Sequence, residues 1–165
     1  MIVIVFGLPG SGKSYFASRL AKRLNAEYIN SDLTRKKMFK SRTYVTREKS
    51  AVYDRMFEEM QVAIRQNRPV VIDGTFHKQD KRELFKTAAG PGQPIFFMEI
   101  WAREELTRER LSHPRPDSEA DFAVYQLIQG EWDPYDGPYL RLESTNANID
   151  AMLASALKYI QGSHD

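Results

Sequence analysis

The chain has 165 residues, 42% of them hydrophobic and 28% charged, with a formal net charge of +2 and no cysteine. That length suits one domain with its own core, and so small a charge gives no argument for a nucleic-acid surface. Without cysteine there is no disulfide, zinc–thiolate centre or thiol nucleophile. The histidines, His77, His113 and His164, are scattered along the chain, which argues against a histidine metal cluster.

The apolar run 2–6 predicts a first strand. It is too short to span a membrane and leads into glycines in place of a cleavage site, so the expected location is the cytoplasm. Gly7-Leu8-Pro9-Gly10-Ser11-Gly12-Lys13-Ser14 follows and fits G-x-x-x-x-G-K-[ST], between that strand and a helix expected over 13–24. Glycines let backbone N–H groups curl round a polyphosphate, and the helix start adds free N–H groups and its positive dipole end. Lys13 would then reach the β- and γ-phosphates and Ser14 would hold Mg²⁺. Nucleotide contacts are expected from Gly7, Pro9, Gly10, Ser11, Gly12, Lys13, Ser14 and Tyr15. The plainer reading is a glycine-rich capping loop, and the strand–loop–helix setting favours the nucleotide.

A second strand over 27–30 runs into Ser31-Asp32-Leu33-Thr34-Arg35 and a helix expected over 32–40. A helix starting near Asp32 puts Asp32 and Arg35 on one face of its first turn. In a parallel sheet that edge is where ligands bind. Asp32 would orient an acceptor hydroxyl and take its proton, and Arg35 would hold an acceptor phosphate or the moving phosphoryl group. Alternatively Asp32 or Ser31 simply caps the helix; the neighbouring glycine loop favours the chemical role.

A helix over 47–66 carries Val52, Met56, Met60 and Ile64 every four residues, with Tyr53 and Phe57 beside them, which is a buried stripe. The strand 70–73 ends in Asp73-Gly74, so no glutamate follows to activate water, and no N-K-x-D tetrapeptide for guanine occurs. Both absences favour ATP, with transfer onto a bound acceptor. Asp73 is expected beside the metal, or else as a turn or cap aspartate. Thr75 lies near the acceptor, and His77 opens a helix over 79–89. After a turn at 90–94 come a strand over 95–100 and a helix over 103–112 bearing Arg103, Arg108 and Arg110. Pro114 and Pro116 break that helix and leave Arg115 in a turn. A helix over 118–130, capped by Asp117 or Ser118, leads to the loop 131–139. Its Trp132, Tyr135 and Tyr139 are read as closing a core edge in preference to stacking a base. A weak strand over 139–142 and a helix over 147–161 complete the chain. Alternating strands and helices imply right-handed βαβ units and a mostly parallel sheet covered on both faces.

GLPGSGKS, then SDLTR, then VVIDGTF together resemble the small P-loop kinases grouped around the kinase domain of polynucleotide 5′-kinase. Chloramphenicol phosphotransferase and the zeta-type toxins are similar relatives in this AAA_33-like ATP-binding group, and the resemblance runs from residue 1 to about 134. It implies an α/β P-loop NTPase fold, a five-stranded parallel sheet ordered 2-3-1-4-5, and a small helical lid at about 103–118 in a single domain, 1–165. It further implies Asp32 as general base, Arg35 on substrate or phosphate, Asp73 near the metal with Ser14, and a lid arginine at the γ-phosphate. Arg115 and Arg110 are the lid candidates, and the helix register leaves their roles interchangeable; Arg103 and Arg108 read as a solvated face. The implied cofactors are ATP and Mg²⁺, and the implied partners a nucleotide and a small-molecule or nucleotide acceptor. Nucleic acid is disfavoured, because no basic–aromatic groove for single strands is evident, and no membrane is expected. The competing reading is a nucleotide-binding regulatory module with slow ATP hydrolysis.

Overall fold

The computed structural model describes residues 1–40, 46–115, 118 and 120–162. In chain order the elements are β1 (Ile2–Phe6), α1 (Lys13–Arg23), β2 (Glu27–Asn30), α2 (Ser31–Met38), α3 (Thr46–Arg65) and β3 (Val70–Asp73). There follow α4 (Gln79–Ala89), β4 (Ile95–Trp101), α5 (Glu104–Leu111), α6 (Phe122–Gly130), β5 (Leu140–Glu143) and α7 (Ile149–Gly162). The strands form one five-stranded sheet ordered β2-β3-β1-β4-β5, and every pairing is parallel. This is the P-loop topology that the motifs imply.

Both faces of the sheet are covered, which explains why β1 is apolar at every position instead of alternating. Ile2, Ile4 and Phe6 meet Val52, Met56 and Met60 of α3 and Phe85 of α4. Val3 and Val5 meet Phe16 and Leu20 of α1 and Met152 and Leu153 of α7. The methionine stripe of α3 is therefore core: Met56 and Met60 are completely buried.

The starts of α2 and α6 differ from expectation because different side chains satisfy their first amides, whereas α4 starts at residue 79 as expected, though His77 does not open it. α2 begins at Ser31, and its cap is Asn30, whose side chain accepts from the Leu33 N–H at 2.9 Å. Neither Asp32 nor Ser31 is spent on capping. α6 begins at Phe122 and is capped by Asp121, which accepts from the Val124 N–H at 3.0 Å. Ser118 instead accepts from Arg115 and from the Ala120 N–H; Asp117 lies outside the described residues. α4 begins at Gln79, two residues beyond His77, and Asp133 accepts the Gln79 N–H at 3.0 Å from a remote loop.

That loop, 131–139, does close a core edge. Trp132 stacks on Phe6 with centroids 6.1 Å apart, and Tyr135 on Phe97 at 4.7 Å. Arg82, with no exposed surface, lies over the rings of Phe6, Trp132 and Tyr135. The loop adds to the cover that α3 and α4 give this face of the sheet, leaving a shallow cleft of about 360 Å³ bounded by Glu99, Tyr139 and Arg141. Among the described residues no helix is long and apolar enough to cross a membrane.

Candidate active site

The glycine loop sits at the carboxyl end of β1 and is enclosed from two sides. Gly10 and Gly12 are left-handed, with φ of 77° and 88°, a conformation that costs side-chain-bearing residues energy. A Cβ on Gly10 would lie 2.9 Å from Leu111 Cγ of α5, and one on Gly12 would lie 2.7 Å from Ser144 Oγ, just after β5. No side chain caps α1, so its first amides face the loop, and the buried Ser11 Oγ has no hydrogen-bond partner. An uncapped helix start, left-handed glycines and an orphaned hydroxyl together fit an anionic polyphosphate.

Lys13 donates to Leu8 O at 3.4 Å. Burial pulls its ammonium below the usual lysine range, Asp73 and Asp32 push it back up, and Arg115 lowers it further. Four of the expected residues thus share one electrostatic neighbourhood, drawn from the starts of α1 and α2, the end of β3 and the turn after α5.

Asp73 is completely buried directly across the sheet from Asn30. Its Oδ2 accepts from Tyr28 Oη at 2.7 Å and Asn30 Nδ2 at 2.6 Å, while Oδ1 has no partner. Asn30 Nδ2 also lies 3.2 Å from Ser14 Oγ. Burial pushes the Asp73 carboxyl up, against the pull of Lys13 and of hydrogen bonds from Tyr28, Ser14 and Asn30. Asp73 is the last residue of β3 and caps no helix. A hydroxyl and an orphaned carboxylate oxygen are hard donors that suit Mg²⁺, an ion usually held by few protein ligands together with phosphates and waters. Among the described residues there is no cluster of three or more His, Cys, Asp or Glu side chains placed to hold a metal ion.

On the other side of the cradle, both terminal nitrogens of Arg35 pair with Asp32 Oδ1, one at 3.0 Å. Arg35 Nε lies 3.8 Å from Oε1 of the buried Glu48. The Asp73-Gly74-Thr75-Phe76 turn forms the adjoining wall. Phe76 adopts φ of 43°, rare for a bulky residue. Its N–H donates to Tyr53 Oη at 3.1 Å, and its carbonyl accepts from Arg82 Nε at 2.7 Å. Tyr53 Oη also lies 3.3 Å from Thr75 Oγ1, and burial raises the Tyr53 phenol, with Asp32 and Asp73 contributing.

The remaining arginines separate by position. Arg110 donates to Gly10 O at 3.1 Å and to Asn146 Oδ1 at 3.3 Å, tying α5 to the cradle. Arg115 donates to Ala120 O at 3.0 Å and to Ser118, within the electrostatic reach of Lys13. Arg103 pairs with Glu143 and Arg108 with Glu104 on the surface. Tyr15 is 55% exposed, and its ring stacks under Arg19.

Tyr28, Asn30, Glu48, Tyr53 and Arg82 join the site without having been expected there. Alternation along β2 places Tyr28 and Asn30 on one face, and an asparagine before a helix is a cap signal. Nothing in the sequence says which carboxylate those side chains meet.

A family model described as an AAA domain matches residues 2–131. A shikimate kinase of Corynebacterium glutamicum is 31% identical over 168 residues, covering 97% of this chain and 96% of its own. A UPF0200 protein of Thermococcus onnurineus is 30% identical over 140 residues, covering 74% and 75%. Among solved structures, a sugar kinase from Janibacter sp. HTCC2649 superposes with a TM-score of 0.75 at 16% identity, covering 97% of this chain and 94% of that one.

Proposed function

Because the chain belongs to the AAA domain family and is a kinase-like P-loop domain, we propose that it is a phosphotransferase moving the γ-phosphoryl group of ATP onto an alcohol. The observation that carries this reading is the convergence of Lys13, Asp73, Asp32 and Arg115 beside an amide cradle. The phosphates lie along Gly7, Pro9, Gly10, Ser11 and Gly12 and the first amides of α1, up to Tyr15. Ser14 and Asp73 Oδ1 would hold Mg²⁺, which would supply positive charge at the phosphate oxygens.

With Oδ1 of Asp32 occupied by Arg35, Oδ2 is the oxygen that receives the acceptor hydroxyl and takes its proton. The alcohol oxygen forms its bond to γ-phosphorus as the bond to the β–γ bridging oxygen breaks, and ADP leaves with that electron pair. Arg35 holds Asp32 in place, and turns to the transferred phosphoryl oxygens as they approach. Lys13 and Arg115 offset charge at the γ-phosphate. Arg110 fixes the base of α5, and α5 with the following turn forms the lid.

The test is ADP formation from ATP and Mg²⁺, measured alone and with a panel of shikimate, gluconate, hexoses and nucleosides. Stimulation of about tenfold or more by one acceptor supports the reading. Tight ATP binding with slow turnover that no acceptor raises overturns it, in favour of a nucleotide-dependent regulatory module.

A further inference from the structure

Asn30 makes two contacts that belong to different halves of the site. Its Oδ1 accepts the Leu33 N–H in the first turn of α2, the turn that carries Asp32. Its Nδ2 donates to Asp73 Oδ2 at 2.6 Å and lies 3.2 Å from Ser14 Oγ. Tyr28, on the same face of β2, places its hydroxyl 2.7 Å from that same Asp73 oxygen. Two donors on Oδ2 leave Oδ1 as the only oxygen without a partner, and it is buried.

We propose that Asn30, seconded by Tyr28, is a positioning residue that sets the metal-site carboxylate and the helix bearing the acceptor base in a single act. This rests on the nucleotide–Mg²⁺ reading given above. A carboxamide is the side chain suited to the place. It offers an acceptor and a donor on one rigid plane, and β2–β3 register puts it directly opposite Asp73. Aspartate would keep the cap but set a second carboxylate against Asp73. Serine would keep the cap but fall short of Asp73. Reversing the amide would bring two oxygens together at Asp73 and two N–H groups together at Leu33, so its orientation is fixed by both partners. Without these donors Asp73 is free to rotate towards the Lys13 ammonium, its strongest charged neighbour, and away from the metal position.

The experiment uses the full chain saturated with ADP, titrated with Mn²⁺ and followed by the paramagnetic signal of free Mn²⁺. Asn30→Ser and Tyr28→Phe should each bind Mn²⁺ about tenfold more weakly, the usual effect of removing a group that orients a metal ligand. Their ADP affinity in EDTA should stay within about twofold of the unaltered chain. Hydrogen exchange reads the other contact: the Leu33 amide should lose protection in Asn30→Ala and keep it in Asn30→Ser and Tyr28→Phe. Unchanged Mn²⁺ affinity in both Asn30→Ser and Tyr28→Phe, or unchanged Leu33 protection in Asn30→Ala, overturns the proposal while leaving the nucleotide reading standing. Failure of the unaltered chain to bind ADP removes both.

Discussion

Lys13 and Asp32 are close enough to feel each other's charge, yet they answer to different chemistry. The lysine's ammonium is disfavoured by burial and kept by two carboxylates, a balance that a bound polyphosphate would shift further towards the charged form. Lys13→Ala should therefore weaken ATP binding by about tenfold or more and abolish turnover, as calorimetry and an ADP-release assay would report. Asp32→Asn keeps the shape and loses the proton acceptor. It should leave ADP affinity within about twofold and cut acceptor-stimulated turnover by about a hundredfold or more. Equal turnover in the Asp32→Asn variant would remove Asp32 from the mechanism. Both residues were legible in the sequence, since fixed spacing from a strand end is enough to nominate them. Arg35 was legible as to place alone: its pairing with Glu48, which lies on the far side of residues 41–45, joins segments that no local pattern connects.

At the scale of elements, the turn after β3 stores strain. A phenylalanine in the left-handed region costs on the order of 1–3 kcal/mol, and Phe76 persists there because Tyr53 binds its N–H and Arg82 its carbonyl. Tyr53→Phe keeps the edge-on ring contacts with Phe76 and Phe85 but leaves that N–H unpaired in a buried place. Urea unfolding should show a loss of about 2 kcal/mol; an unchanged midpoint and slope would mean that the turn is held by packing alone. The helical stripe containing Tyr53 was legible from its four-residue period, whereas the use of its hydroxyl was not. Periodicity reports which face is buried, and a polar tip's partner depends on an element 22 residues away. The partner of the first α4 amide was hidden for a related reason: the Gln79 N–H donates to Asp133, 54 positions downstream in the chain.

For the molecule as a whole, the loop 131–139 completes the cover of the sheet face that α3 and α4 pack on. Trp132 and Tyr135 pack on the face of β1 and β4, and their rings lie against Arg82, whose charge Asp133 and Glu99 favour. Trp132→Ala should cost about 3 kcal/mol in denaturant unfolding and leave ADP affinity within about twofold, since its ring packs on Phe6 and Arg82. A large loss of ADP affinity at unchanged stability would instead assign the aromatic loop to the nucleotide or lid. The sequence by itself determined the strands, the glycine cradle with Lys13 and Ser14, and the placing of Asp32 and Asp73 at one sheet edge, because strand period, turn chemistry and motif spacing are local properties. Only the tertiary structure decided that Asn30 and Tyr28 hold Asp73, that Tyr53 and Arg82 hold Phe76, and that α5 and Ser144 close over the glycines. Those are contacts between segments remote in sequence, fixed by sheet register and by the packing of helices on its two faces.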